Sequence, residues 1–397
     1  MSLKGNEIET LFQLLSLPTA PFREDAILEF CEEYLQSRKI PFFKDSIGNL
    51  VIGQSSYKNY LKNLKKPTLE PFIMLIAHTD HPGFLGAKWL GSSTLQIDWH
   101  GGSPTKFLSG TPMWIAEQGF FKKYPAKMQK ATLHKHGHSI KNAQLKILEP
   151  WWTSLKDRPK ATSLFGAFRF RSSVWKNKTT LYTGGADDIV GVFSVLKTAE
   201  NLWKQKVPAR KTFLGLLSRA EEVGFIGSIG HFEKVLPKAS QSKIVILSLE
   251  TSRTLPNALI GSGPVVRLGD RSSVFDSSLT ALLHDCAEKK LAKKYQRRIM
   301  DGGTCEATAA ICYGFASAGV SVPLGNYHNI SYQGGPDSRG NLGAAPEFVD
   351  IRDIAGQVTL CEEFVKRPLK NRTKVFESKR KRFAKMLKDA QKLLHEK

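Results

Sequence analysis

Two adjacent glutamates, Glu221 and Glu222, follow an apolar run at 212–217 that has the length and aliphatic content of a buried strand. Neighbouring carboxylates at a strand end repel, and burying both is costly unless a cation compensates. The same placement recurs along the chain. His78 and Asp80 follow the apolar run 72–77, Asp187 and Asp188 follow a short strand at 180–183, Glu250 ends the run 243–249, and His328 lies just past a strand near Val322. In an open α/β sheet, functional groups gather outside the carboxyl ends of the strands. Two histidines and several carboxylates brought to one crevice form a nitrogen–oxygen ligand set that suits zinc, cobalt or manganese and not a thiolate site.

The chemistry gives each residue type a task. Two metal ions close together need one bridging carboxylate, with histidine and carboxylate ligands on either side. A further carboxylate that is not a ligand can shuttle the proton of an activated water. The adjacent glutamate pair offers one ligand and one base. Asp80, two residues after His78, is placed to accept the second imidazole N–H and fix its tautomer. Asp187 and Asp188 both remain open as the bridging carboxylate. His81 and His100 are rivals for the histidine roles. His134, His136 and His138 alternate, which on a strand places them on one face, but the segment is Lys-rich and reads as a solvated strand or loop.

The elements that must position these residues read as an α/β fold. Helical apolar spacing appears at 6–15 and 24–35, a short strand at 49–53, a polar Lys-rich loop at 58–70, and a buried strand at 72–77. From 83 to 179 short alternating pieces are broken by Gly, Pro, Lys and Ser, which predicts a small β-rich domain inserted into a larger one. The larger domain resumes with strands near 180, 212, 243 and 317 and helices near 189–202, 226–235, 278–290 and 349–365. The expected architecture is a mixed, mostly parallel sheet sandwiched by helices, with residues 1–82 and 180–365 forming the catalytic domain. Residues 366–397 form a basic amphipathic C-terminal helix, with apolar residues at Phe376, Phe383, Leu387, Ala390 and Leu394.

Composition narrows the class. The formal charge is +22, and the last 32 residues carry 13 Lys/Arg and 3 Asp/Glu, so the excess is partly a tail property. The tail reads first as a docked or solvated surface helix, with an oligomer contact, an anionic surface or nucleic acid as the alternatives. No zinc finger, RNP-like aromatic pattern or basic-leucine heptad is present. No apolar run reaches the roughly 18 residues a membrane span requires. The first residues are too polar for a secretory h-region, and five scattered cysteines fit reduced thiols, so a cytoplasmic location is expected.

The ordered set His78-Thr-Asp80, Gly185-Ala-Asp187-Asp188-Ile-Val-Gly191, Glu221-Glu222-Val-Gly224, Glu250 and His328 resembles the co-catalytic zinc exopeptidase clan. Within it, the chain is most similar to the glutamyl (tetrahedral, deblocking) aminopeptidase family, over roughly residues 5–365. The resemblance implies two divalent ions, with zinc the first choice and cobalt or manganese the alternatives. It implies His78 and Glu250 on one ion, Glu222 and His328 on the other, and Asp187 bridging. Glu221 becomes the general base and Asp80 the partner of His78, both counted as catalytic. Gly302, Gly303 and Thr304 line the substrate side. The activity implied is removal of N-terminal residues from short peptides by a metal-bridging hydroxide, in a homo-oligomer. Three departures stand out: Ile189 where the family has Arg, Glu250 where it has Asp, and Cys305-Glu306 where it has Asp-Ala. They favour, as a second reading, an amidohydrolase or carboxypeptidase-like deacylase of the same clan. A third reading, from another class, is a catalytically silent binding protein with a polyanion-binding tail.

Overall fold

The computed structural model describes residues 2–67, 70–237, 240–369 and 372–390. Its centre is an eight-stranded sheet. In spatial order the strands are Phe42–Lys44, Leu50–Ile52, Phe213–Ser218, Phe72–His78, Ile244–Arg253, Ala316–Leu324, Val265–Asp270 and Gln296–Met300. The four middle strands run parallel. Antiparallel pairings flank them on both sides.

The continuous apolar runs have a direct cause. Every residue of Phe72–His78 and of Phe213–Ser218 is buried, because helices cover both faces of the sheet. Side chains alternate along a strand, so one run feeds two cores. Ile73, Leu75 and Ala77 join Leu14, Ile27, Phe193, Leu283 and Ile354 on one face. Phe72, Met74 and Ile76 join Tyr60, Phe232 and Ala310 on the other. Each fully buried aliphatic side chain contributes about 1.5–3 kcal/mol relative to exposure. That burial clamps the strands, and hence their carboxyl ends, in place.

Between the strands Phe72–His78 and Phe213–Ser218 the chain leaves the sheet and builds a closed six-stranded antiparallel barrel. Its strands span Gly83 to Phe168, and its core of Phe84, Leu95, Ile97, Met113, Ile115, Met128 and Leu145 is distinct from the other two. The β-rich texture read from the sequence ends later than the barrel does. The strand Val174–Asn177 pairs with Thr180–Thr183, and that strand pairs with Glu347–Asp350 in a separate three-stranded sheet.

The Lys-rich stretch expected to be a loop contains a helix, Tyr57–Lys65, whose N-terminus is capped by the Ser56 hydroxyl accepting from the Asn59 N–H. Two apolar residues one turn apart, Tyr60 and Leu64, anchor it while its lysines face water. Two anchors are too few to register as a period against so many lysines. The C-terminal tail is a helix over Glu377–Ala390 with no buried residue. Leu394, the last residue of its expected apolar stripe, lies outside the described residues.

Candidate metal centre

The sheet positions the chemistry through the parallel register of its middle strands. Ser218 pairs with His78, so the turn carrying Glu221 and Glu222 leaves the sheet beside the loop carrying Asp80. Glu250 lies in the neighbouring strand Ile244–Arg253. Asp187 and Asp188 precede the helix Ile189–Lys204 on one core face, and His328 sits in a short turn after Ala316–Leu324. Asn326, His328 and Asn329 in that turn have left-handed backbones, with φ of 53°, 55° and 58°.

These residues converge. One ligand atom each from His78, Asp187 and Glu250 lies within 4.8 Å of the others, and the same holds for Asp187, Glu222 and His328. Asp187 belongs to both triplets. Its Oδ1 is 3.4 Å from His78 Nε2, and its Oδ2 is 3.8 Å from His328 Nε2. His328 Nε2 is 3.2 Å from Glu222 Oε2. Asp188 faces elsewhere: its Oδ1 accepts the Gly191 N–H at 3.1 Å and the Thr251 hydroxyl at 2.9 Å. It is the N-cap of the helix, the role an aspartate commonly fills there. A third triplet, His78, Glu221 and Glu222, sets Glu221 Oε2 3.8 Å from His78 Nε2.

The fit to metal ions can be tested on unsatisfied atoms. Buried polar atoms are nearly always hydrogen-bonded. Yet Asp187 Oδ1, Glu222 Oε1, Glu250 Oε1 and His328 Nε2 are buried and accept or donate no hydrogen bond. All four belong to the two triplets that share Asp187. A buried cluster of this composition with open lone pairs could hold a cation, and its nitrogen–oxygen donors match a divalent ion.

The electrostatics agree. Burial pushes the Glu221 carboxyl well above the usual range, and the neighbouring Glu250, Glu222 and Glu306 push it further, against the pull of His78. Burial likewise raises Glu250 to about 8, with Arg267 opposing and Asp187 adding to the rise. Burial disfavours the charged form of His78, but the carboxylates of Glu221, Asp187 and Asp80 outweigh it and hold the imidazole well above its ordinary value. His328 is raised for the same reason, with Glu222 as its main carboxylate neighbour. Without an ion, this cluster compensates its own repulsion with protons.

Asp80 is placed differently from the expectation. The hydrogen-bond partner of His78 Nδ1 is the main-chain oxygen of Asp80, at 3.1 Å, while its carboxylate is 3.6 Å away. That carboxylate instead accepts the backbone N–H groups of Glu221 at 2.9 Å and Glu222 at 3.1 Å. Asp80 therefore orients His78 through its backbone and pins the glutamate turn through its side chain. His81 is buried and structural: Nδ1 lies 2.8 Å from the Asp187 carbonyl oxygen and Nε2 3.2 Å from Asn329 Oδ1. His100 joins none of the three triplets. Gly302, Gly303 and Thr304 line a small cavity with Glu250, Arg267 and Tyr327, on the flank of the cluster.

Two buried glutamates in the supporting layer are not evident from the sequence. Glu347 accepts the N–H groups of Ala186 at 2.6 Å and His328 at 2.8 Å, tying the Asp187 turn to the His328 turn. Glu24 accepts the Ala220 N–H at 3.0 Å and pairs with Arg219 at 2.8 Å, holding the glutamate turn from below. Neither lies in a motif, and backbone N–H partners leave no trace in residue order. At the departures from the expected pattern, Ile189 is core, and Glu306 is buried between the hydroxyls of Ser218 and Ser228. The barrel reaches the cluster at Gly102, where an added Cβ would stand 1.9 Å from His328 Nδ1.

Comparison with known structures returns the same fold. A TET aminopeptidase from a marine sediment archaeon of the Thaumarchaeota superposes with a TM-score of 0.72 at 18% identity, covering 93% of this chain and 99% of that one. An aminopeptidase of the archaeon Desulfurococcus kamchatkensis gives 0.70 at 19% identity, over 93% and 96%. The Pyrococcus horikoshii TET peptidase, described as assembling into a tetrahedron or a large octahedral shell, gives 0.68 at 18%, over 90% and 99%. No curated protein matches the sequence. The family model of the M42 glutamyl aminopeptidases matches residues 60–333, well over half of the chain and a span that holds all five converging residues together with Glu221: the chain belongs to that family and is a metal-dependent aminopeptidase.

Proposed function

We propose that the chain removes N-terminal residues from short peptides, using Glu221 as proton carrier beside a two-ion centre built on Asp187. The observation that carries this reading is the sharing of Asp187 between two ligand triplets whose buried atoms lack hydrogen bonds. His78, Asp187 and Glu250 would hold one ion and Asp187, Glu222 and His328 the other, and such ions polarise a peptide carbonyl and acidify a water. Zinc is the ion we favour for this donor set.

The remaining steps belong to the chain's own side chains. Glu221 takes a proton from the attacking water on its carboxylate and delivers it to the nitrogen of the departing amine. In the metal-free cluster burial and the surrounding carboxylates raise its proton affinity, and a general acid–base must both accept and release a proton. Asp80 keeps that carboxylate in place by holding the N–H groups of Glu221 and Glu222. Gly302, Gly303 and Thr304, beside Glu250, border the substrate.

The separate core of the barrel supports a division into a catalytic part and an inserted part within 83–179, the barrel itself ending at Phe168 and Val174–Asn177 pairing with the catalytic part. Likeness to the shell-forming Pyrococcus horikoshii peptidase supports a homo-oligomer. Five free cysteines support a reducing, cytoplasmic setting. The test is amino-acid release from matched peptides with free and N-acetylated ends, with added zinc or cobalt and with chelator. Metal-dependent cleavage confined to free amino ends is expected. Cleavage of the acetylated set would return the deacylase reading, and no bound metal would overturn the centre itself.

A further inference from the structure

Behind the Asp187 turn lies a second cavity, of about 280 Å³, between the first helix, Gly5–Ser16, and the barrel. Its size is near the lower end for small-molecule sites, about 300–1,000 Å³. One wall is apolar and largely aromatic, with Leu17, Trp114, Phe168 and Phe170. The floor includes Gly185 and His81, whose Nδ1 holds the Asp187 carbonyl on the far side.

The cations at this cavity are unusual. Lys123 reaches from the barrel strand Phe120–Leu133 to the end of the first helix, where its ammonium donates to the Ser16 carbonyl at 2.8 Å. It also lies 4.8 Å from the centre of the Trp114 ring. An ammonium has three donors, and among the described residues no carboxylate pairs with this one. Its surroundings disfavour the charge, and desolvation pushes Lys123 down to about 8. Arg169, at an exposed position on the rim of the same cavity, has no carboxylate partner among the described residues, whereas Arg171 is held by Asp337 at 2.6 Å. Helix capping accounts for one donor of Lys123 and leaves the cavity and its aromatic wall without a role. Two unneutralised cations beside an aromatic wall recognise a molecule with a negative end and an apolar body.

We propose that this cavity binds a small carboxylate with an apolar body, its charged end on Lys123 and Arg169 and its body against Trp114, Phe168 and Phe170. Two sources share this chemistry: a free organic acid, and the carboxyl end of a short peptide.

The test uses the full-length, metal-loaded protein and N-acetyl-L-phenylalanine as probe, followed by calorimetry. Saturable binding at one site per chain is expected, and its carboxamide should bind at least tenfold more weakly. Lys123→Met should weaken the acid at least tenfold while metal content and turnover of C-terminally amidated peptides stay unchanged. Arg169→Gln, at an exposed position, gives an independent loss if Lys123→Met fails to fold. Peptides with free and amidated carboxyl ends separate the two sources. A rise in KM caused by Lys123→Met for free-carboxyl peptides alone places the substrate's own end in the cavity. An unchanged KM with lost probe binding assigns it to a separate acid. Equal binding of acid and carboxamide, or full binding by both variants, overturns the proposal.

Discussion

Two groups of histidines in this molecule have opposite fates. His134, His136 and His138 crowd into five residues at a barrel hairpin tip, yet their rings stack with centroids 5.2 and 5.5 Å apart and planes within 17° of parallel. None of them joins a converging ligand triplet. His78 and His328 stand far apart in the sequence, yet both reach one carboxylate, Asp187, from either side. Closeness in sequence gave a row of rings that water can solvate one by one. Closeness across strand ends gave a buried set of donors whose charges must be compensated. A metal centre is made by convergence of lone pairs under burial, and alternation along a backbone supplies neither.

Substitutions around the two groups should have very different consequences. Asp187→Asn should have the largest effect, since one residue serves both triplets: both ions and all turnover should be lost. Metal analysis of the purified variant checks this, and retention of a full pair of ions would remove the bridging role. Glu221→Gln comes next. It should lower kcat by about 10²–10⁴-fold, the range for a general acid–base, while leaving the metal content of the wild type. Metal loss in step with activity would make Glu221 a ligand instead.

A smaller effect concerns protons. In the metal-free protein burial holds Glu250 up near 8, so it keeps its proton at neutral pH. An ion needs the carboxylate, so binding must expel that proton. Metal affinity should therefore rise with pH through the neutral range, the more so because His78 and His328 are also raised and must give up their protons to ligate. Calorimetry in two buffers of different ionisation heat would measure the released protons, and a pH-independent affinity with no release would contradict the assignment of Glu250. The smallest effect is expected at the hairpin. Replacing His134, His136 and His138 together by Ala should change stability by no more than about 0.5 kcal/mol per site and leave the metal content and turnover untouched.

Several features were legible in residue order because their causes are local. Runs such as 72–77 and 212–217 announce strands covered on both faces, since only there does every position become apolar. Carboxylates and histidines placed just past those runs mark the strand ends where an α/β sheet collects its chemistry. The β-rich character of the insertion was legible from its short alternating pieces. The helix Tyr57–Lys65 was not, because two buried side chains anchor it.

The chain alone thus determined the α/β framework, the order of the motifs and the kind of donor set they carry, since hydrophobic period and side-chain chemistry are written residue by residue. What depends on direction was set by the folded arrangement of the strands and turns. It turned Asp187 toward both histidines and Asp188 into the helix cap. It assigned the Asp80 carboxylate to two backbone N–H groups and recruited Glu24 and Glu347 to hold the turns. Side-chain bearing at a strand end is set by which strands pair in which register and by where the intervening N–H groups point, and neither exists until the sheet has formed.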